Sequence, residues 1–299
     1  MNEKINELKR AKNALILAHY YAPPEVQQAA DHVGDSFYLA KVAKQSRCDV
    51  IVFCGVGFMG ESAKILAPEK KVLMPAPEAD CAMAHMVRDG AIEALRAEYD
   101  DLAVVCYINS TAELKCKSDV CVTSSNAVKI VRALPNKNIF FIPDRNLGRY
   151  VAAQVPEKNI ILNDGFCPVH AKITPEQVAK EKELHPEAPV FAHPECEPGV
   201  LALADGIGST ADIIALAKSS SSREFIICTE DGVDFRLVSD SPEKRFYYPM
   251  PRPCCGDMKK NTLEALLSVL EKEDKEVFVS EEVRKKALVP LERMLELGK

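Results

Sequence analysis

Three things are missing from this sequence, and each removes a class of function. No apolar run approaches the roughly 18 residues that a membrane-crossing helix needs. Lysines and arginines are scattered without a basic block, and the formal net charge is -6, which argues against a broad nucleic-acid surface. No two cysteines have the Cys-x-x-Cys spacing, so a zinc ribbon is not indicated. The charged segment Met1–Lys12 reads as a surface helix rather than a secretory signal. The expected setting is the cytosol, with no membrane and no nucleic-acid partner.

Cysteine itself is abundant, with 11 in 299 residues. Without a secretory signal a disulfide framework is the weaker reading; metal ligands, catalytic thiols and buried apolar residues remain. Cys48, Cys54, Cys106, Cys121 and Cys228 lie in or beside apolar runs and behave as small hydrophobes.

A threefold internal repeat organises the chain. The strings LILAHYY, DHVGDS and VIVFCGV are followed by Pro68-Glu69-Lys70. The same grammar returns in VVCYINS, DVCVTSS and IFFIPDR before Pro156-Glu157-Lys158, and in VFAHPEC, DGIGST and FIICTE before Pro242-Glu243-Lys244. His19, Tyr107 and His193 stand 88 and 86 positions apart. Tyr21, Asn109 and Glu195 keep those offsets, as do Ser36, Ser124 and Thr210 and the three Pro-Glu-Lys triplets.

Length alone suggests two domains of about 150 residues, but the repeat divides the chain into three. Short runs rich in Val, Ile, Phe and Tyr alternate with helical stretches such as Pro24–Val33, Phe37–Ser46, Ser125–Ala133 and Thr174–Leu184. Near-continuous apolar strands separated by helices indicate parallel sheets covered on both faces. The predicted fold class is α/β: three αβα sandwiches with small parallel sheets, related by a pseudo-threefold axis, with the active site in a central cavity. The expected domains are 1–84, 85–171 and 172–255. Two further helices, Thr262–Lys272 and Glu281–Leu297, are expected to pack back on the first.

Ligands of open parallel sheets bind beyond the carboxyl ends of the strands. His19, Tyr107 and His193 close the first strand of each unit, and Ser36, Ser124 and Thr210 follow the second and open a helix. Such a hydroxyl either caps the helix or joins the helix start in binding an anion. Cys81, Cys167 and Cys255 close the units at spacings of 86 and 88. Three thiolates meeting on one axis suit an iron–sulfur cluster, zinc or copper(I). With three cysteines where four are usual, a four-iron cluster keeps one open iron that acts as a Lewis acid. Spacing does not choose between iron and a three-cysteine zinc site. Cys254 adjoins Cys255, and the repeat favours Cys255. Cys116 and Cys196 lack equivalents and are read as incidental, and His32, His85 and His185 as non-catalytic.

The strings AHYYAPPEVQQAADHVGDS, GVGFMGESAKIL, YINSTAELK, VTSSNAV, PDRNLGRYV, GFCPVH, HPEC, GST and CGDMKKNTLEALL together resemble the ordered motifs of the quinolinate synthase family. The match runs from Leu15 to about Leu267. The resemblance implies three domains around a pseudo-threefold axis with a 4Fe–4S cluster held by Cys81, Cys167 and Cys255. It implies condensation of iminoaspartate with dihydroxyacetone phosphate, with loss of phosphate and water, to give quinolinate for NAD biosynthesis. By similarity, His19, Ser36, Asn109, Ser124 and Thr210 hold substrate groups, and Tyr21, Tyr107, His193 and Glu195 form the acid–base set. A short-lived imine also makes hand-over from an aspartate-oxidising enzyme an expected link. Met258 and Lys259 follow the third cysteine and are expected to help close the cavity. His170 is either a neighbour supporting Cys167 or a packing residue. Two other readings stay open: a zinc-dependent lyase or aldolase on the same scaffold, and a non-catalytic binding protein or redox sensor.

Overall fold

The computed structural model describes residues 1–299. The apolar runs form twelve strands in three four-stranded, all-parallel sheets. The first sheet holds β1 (Ala14–His19), β2 (His32–Gly34), β3 (Val50–Cys54) and β4 (Lys71–Leu73). The second holds β5 (Ala103–Tyr107), β6 (Val120–Val122), β7 (Asn138–Ile142) and β8 (Asn159–Leu162). The third holds β9 (Val190–Ala192), β10 (Gly206–Ile207), β11 (Glu224–Cys228) and β12 (Arg245–Tyr247). Each sheet is ordered second, first, third, fourth along the chain, and a helix precedes every strand. Strands β3, β5 and β6 are buried at every position, as sheets covered on both faces require. The repeat in the sequence is therefore a repeat of topology.

Two sets of repeated residues build this scaffold. Asp31, Asp119 and Asp205 each directly precede the second strand of their unit. Their carboxylates accept the backbone N–H of Ile16, Val104 and Val190 at 2.9, 2.7 and 2.8 Å. That clamp fixes the register of the first and second strands in every sheet. The lysines of the three Pro-Glu-Lys triplets donate to backbone carbonyls beyond or within the end of a helix. Lys70 reaches Cys48 O at 3.0 Å, Lys158 reaches Asn136 O at 2.7 Å and Lys244 reaches Ala217 O at 2.7 Å. A cation there satisfies carbonyls that the helix leaves free.

The helix expected over Pro24–Val33 stops at Ala29, because residues 32–34 pair with β1 instead. Helix Leu263–Lys272 packs on the first unit, burying Leu266, Val269 and Leu270 beside Ile5 and Ile16. Helix Glu281–Leu297 departs from its expected place. It lies against β6 and helices Ala112–Cys116 and Ala127–Ala133 of the second unit, as well as helix Gly57–Leu66 of the first. Its apolar stripe, Ala287, Leu291, Met294 and Leu295, joins a core of 45 buried residues that runs through both units. The third sheet has separate cores of 10 and 9 residues. No helix is long and apolar enough to cross a membrane.

Candidate functional site

Residues at the carboxyl ends of all three sheets line one cavity of about 230 Å³. His19 ends β1, Tyr107 ends β5 and His193 directly follows β9. With them the cavity wall carries Tyr21, Asn109 and Glu195, the hydroxyls Ser36, Ser124 and Thr210, and the cysteines Cys81, Cys167 and Cys255. The structure thus brings together every site residue named from the sequence. His32, His85, His185, Cys116 and Cys196 lie outside the lining.

The hydroxyls are not helix caps. Asp35 caps helix Ser36–Gln45 by accepting from Tyr38 N at 2.8 Å, and Ser209 caps helix Thr210–Ser219 in a reciprocal box with Asp212. In the second unit Asn126 is the capping position and the helix begins at Ala127, so Ser124 sits in the preceding turn. With the capping positions filled by neighbours, the three hydroxyls are left to the cavity.

Two histidines share one local geometry. The backbone N–H of Tyr21 donates to His19 Nδ1 at 3.2 Å, and that of Glu195 donates to His193 Nδ1 at 3.3 Å. Burial pushes both rings down to about 3 against the pull of Glu195, so both are neutral at pH 7. With Nδ1 accepting, the proton sits on Nε2 in each. His193 Nε2 lies 3.2 Å from Ser124 Oγ. Burial alone would raise Glu195, but His170, His193 and the Tyr107 hydroxyl outweigh it and hold the carboxyl below its usual range. His170 Nδ1 lies 2.8 Å from Glu195 Oε2, closer than His193 Nδ1 at 3.4 Å. Burial, with Glu195 next in weight, keeps Tyr21 and Tyr107 protonated far above 10. Glu195 Oε1 and Asn109 Oδ1 are buried without a hydrogen-bond partner. Orphaned polar atoms in a cavity wall mark a place for a polar ligand.

The three cysteines occupy equivalent turns. Each follows the fourth strand of its unit and precedes a short 3₁₀ helix, Ala82–His85, His170–Lys172 or Met258–Lys260. Their carbonyls accept from Ala84 N, Ala171 N and Lys259 N at 2.9, 3.0 and 3.2 Å. Cys255 is half-buried whereas Cys254 is exposed, though both line the cavity. The three thiols line one cavity, a donor set that suits a soft metal centre such as an iron–sulfur cluster or zinc. Cys167, His170 and Glu195 do cluster within 4.8 Å, but the direct 2.8 Å contact of His170 with Glu195 leaves no gap for an ion. Burial and the charge of Glu195 push the Cys81 thiol up to about 12 and raise the Cys167 thiol as well. Such thiols ionise when a cation sits among them.

The family model described as Quinolinate synthetase A protein (NadA) matches residues 3–296. The chain belongs to this family. It is 53% identical over 298 residues to a protein named quinolinate synthase from Caldicellulosiruptor saccharolyticus, covering 100% of this chain and 98% of that one. It is 50% identical over 295 residues to the quinolinate synthase of Clostridioides difficile, covering 99% and 97%. It is 52% identical to that of Fusobacterium nucleatum, covering 100% and 99%.

Two wall residues of this NadA-family chain, Lys172 and Glu230, escaped sequence reasoning, which names His170, Met258 and Lys259 without fixing their contacts. His170 proves to be buried and central: besides Glu195 it meets Cys167 Sγ at 3.2 Å and Thr229 Oγ1 at 2.9 Å, and it stacks on His193 at 4.8 Å. Lys172 is the one lysine or arginine in the lining. Glu230 is 0% exposed; it accepts the Cys255 N–H at 2.9 Å and pairs with Lys259 at 2.9 Å, which also donates to Tyr21 O at 3.0 Å. Lys259 therefore ties the third unit to the first beside the cavity, and Met258 lines the wall. Glu230 has an acidic equivalent in Asp144, 86 positions earlier, and Lys172 a lysine equivalent in Lys260, 88 positions later, but neither completes a triplet. Position 170 corresponds to Ala84 and Met258, so a search for matching triplets passes over it.

Proposed function

We propose that the chain is a quinolinate synthase that condenses iminoaspartate with dihydroxyacetone phosphate, releasing phosphate and water, for NAD biosynthesis. The observation that carries this reading is the meeting of the twelve repeat-related residues around one cavity, with orphaned acceptors on Asn109 and Glu195. Family membership and full-length relatives named for this activity support it.

Both substrates are small anions. The Nε2–H groups of His19 and His193 and the hydroxyls of Ser36, Ser124 and Thr210 offer donors to carboxylate and phosphate oxygens. Lys172 supplies positive charge to a wall otherwise carrying Asp35, Asp80, Glu195, Glu230 and Asp257. Glu195, ionised and with one free oxygen, is the base that takes a proton beside a carbonyl or imine. Tyr107 and Tyr21, kept protonated by burial, are the donors to a departing hydroxide. In the neutral form found here His193 serves as a hydrogen-bond donor until it takes up a proton, which refines its place in the acid–base set. Cys81, Cys167 and Cys255 would hold a 4Fe–4S cluster, with Cys254 outside it. When bound, the iron without a cysteine supplies a Lewis acid for a substrate oxygen. The domain limits 1–84, 85–171 and 172–255, a cytoplasmic setting, and hand-over of the imine from an aspartate-oxidising enzyme belong to the same proposal.

Glu195→Gln tests the assignment. It keeps shape and removes charge, so quinolinate formation falls about 100-fold or more while iron content stays unchanged. Turnover at the unmodified rate would show that Glu195 is not the base.

A further inference from the structure

We propose that Thr229 is a positioning residue of this cavity, whose hydroxyl sets the direction of the Tyr21 hydroxyl and, through His170, anchors Glu195. The inference deepens the proposed function and rests on it.

Thr229 directly follows β11 and is 0% exposed. Its Oγ1 lies 2.8 Å from the Tyr21 hydroxyl and 2.9 Å from His170 Nε2. The Tyr21 hydroxyl in turn lies 2.7 Å from Thr210 Oγ1, and His170 Nδ1 lies 2.8 Å from Glu195 Oε2. The run Thr210, Tyr21, Thr229, His170, Glu195 is a single line of contacts with Thr229 at its centre. It joins the loop after β1 to the turn after Cys167 and to the third sheet.

The fold does not require this hydroxyl. The residues directly after the third strand of the other two units are Gly55 and Pro143, at the same repeat offsets. The scaffold builds that strand end twice without a side-chain donor. The Thr229 hydroxyl is thus particular to the third unit, and all its partners belong to the cavity wall. Without it, His170 Nε2 and the Tyr21 hydroxyl each lose a partner, and the anchored oxygen of Glu195 is held less firmly. Misplacement of this kind acts on the chemical step more than on substrate binding.

The experiment measures quinolinate formation by Thr229→Val, Thr229→Ala and Thr229→Ser chains beside the unmodified chain, at matched iron content. Val preserves shape, Ala guards against overpacking, and Ser restores the hydroxyl. The expected result is a kcat about 10- to 100-fold lower for Val and Ala, KM within about threefold, and Ser within about threefold of the unmodified chain in both. Unchanged turnover in Val or Ala, or a Ser chain as slow as Ala, overturns the role of the hydroxyl. An unmodified chain that is loaded with iron yet makes no quinolinate overturns the reading beneath it as well.

Discussion

The first two sandwiches and the third are joined by different forces. Between the first and second runs one apolar core, completed by Leu291 and Met294 of the last helix. The third has its own two cores, and besides Tyr20 packing on one of them it meets its neighbours through polar contacts: Tyr21 with Thr210 and Thr229, His193 with Ser124, Asn146 with the Glu195 carbonyl, Arg145 with Glu197. Apolar burial is non-directional and contributes stability in proportion to area. Hydrogen bonds and ion pairs contribute less net stability but fix geometry. The cavity lies along the polar seam, where positions of donors and acceptors matter more than cohesion.

That contrast breaks down or sharpens under mutation. The largest effect is expected in the apolar weld. Leu291→Ala, at a fully buried position, costs about 2–5 kcal/mol of unfolding free energy, read from denaturant midpoints. On the seam, Arg145→Ala removes a 2.8 Å ion pair with Glu197 whose side chains are 20% and 31% exposed, and its cost is about 1 kcal/mol or less. Equal losses at the two sites would erase the distinction. The remaining effect concerns pH. His19 and His193 are held near 3 when folded, against an ordinary 6.5. Below 6.5 the unfolded chain takes up protons that the folded chain refuses, so stability falls as pH drops from 6.5 toward 3 and is level above 6.5. His193→Asn removes one share of that dependence. Its unfolding free energy, measured at pH 7, 6 and 5, is expected to fall less steeply than the unmodified chain's; an identical slope would mean that His193 is not neutral when folded.

Much of this was legible because the repeat writes the same grammar three times. The offsets linking His19, Tyr107 and His193 led to the cavity, and those linking Cys81, Cys167 and Cys255 led to three equivalent turns. Spacing does not separate jobs, however. Asp31, Asp119 and Asp205 keep the same offsets yet clamp strands away from the cavity wall, and the Pro-Glu-Lys lysines satisfy carbonyls near helix ends. Residues without repeat partners were invisible to that method: Thr229 matches a glycine and a proline, and His170 an alanine and a methionine. The last helix was recognised as helix, but an apolar stripe says that a face is buried and not against what. The three-residue strand β2 carries too little pattern to bound the helix before it, so the helix expected over Pro24–Val33 overran it.

The central claim is that three turns related by the repeat grip one metal centre. Iron and acid-labile sulfide, measured after anaerobic purification of single alanine variants, test it most directly. The account predicts about four of each per chain for the unmodified protein and for Cys254→Ala, and loss of the centre in Cys81→Ala, Cys167→Ala and Cys255→Ala alike. A full complement of iron in any of those three, or a single zinc in the unmodified chain, would contradict it.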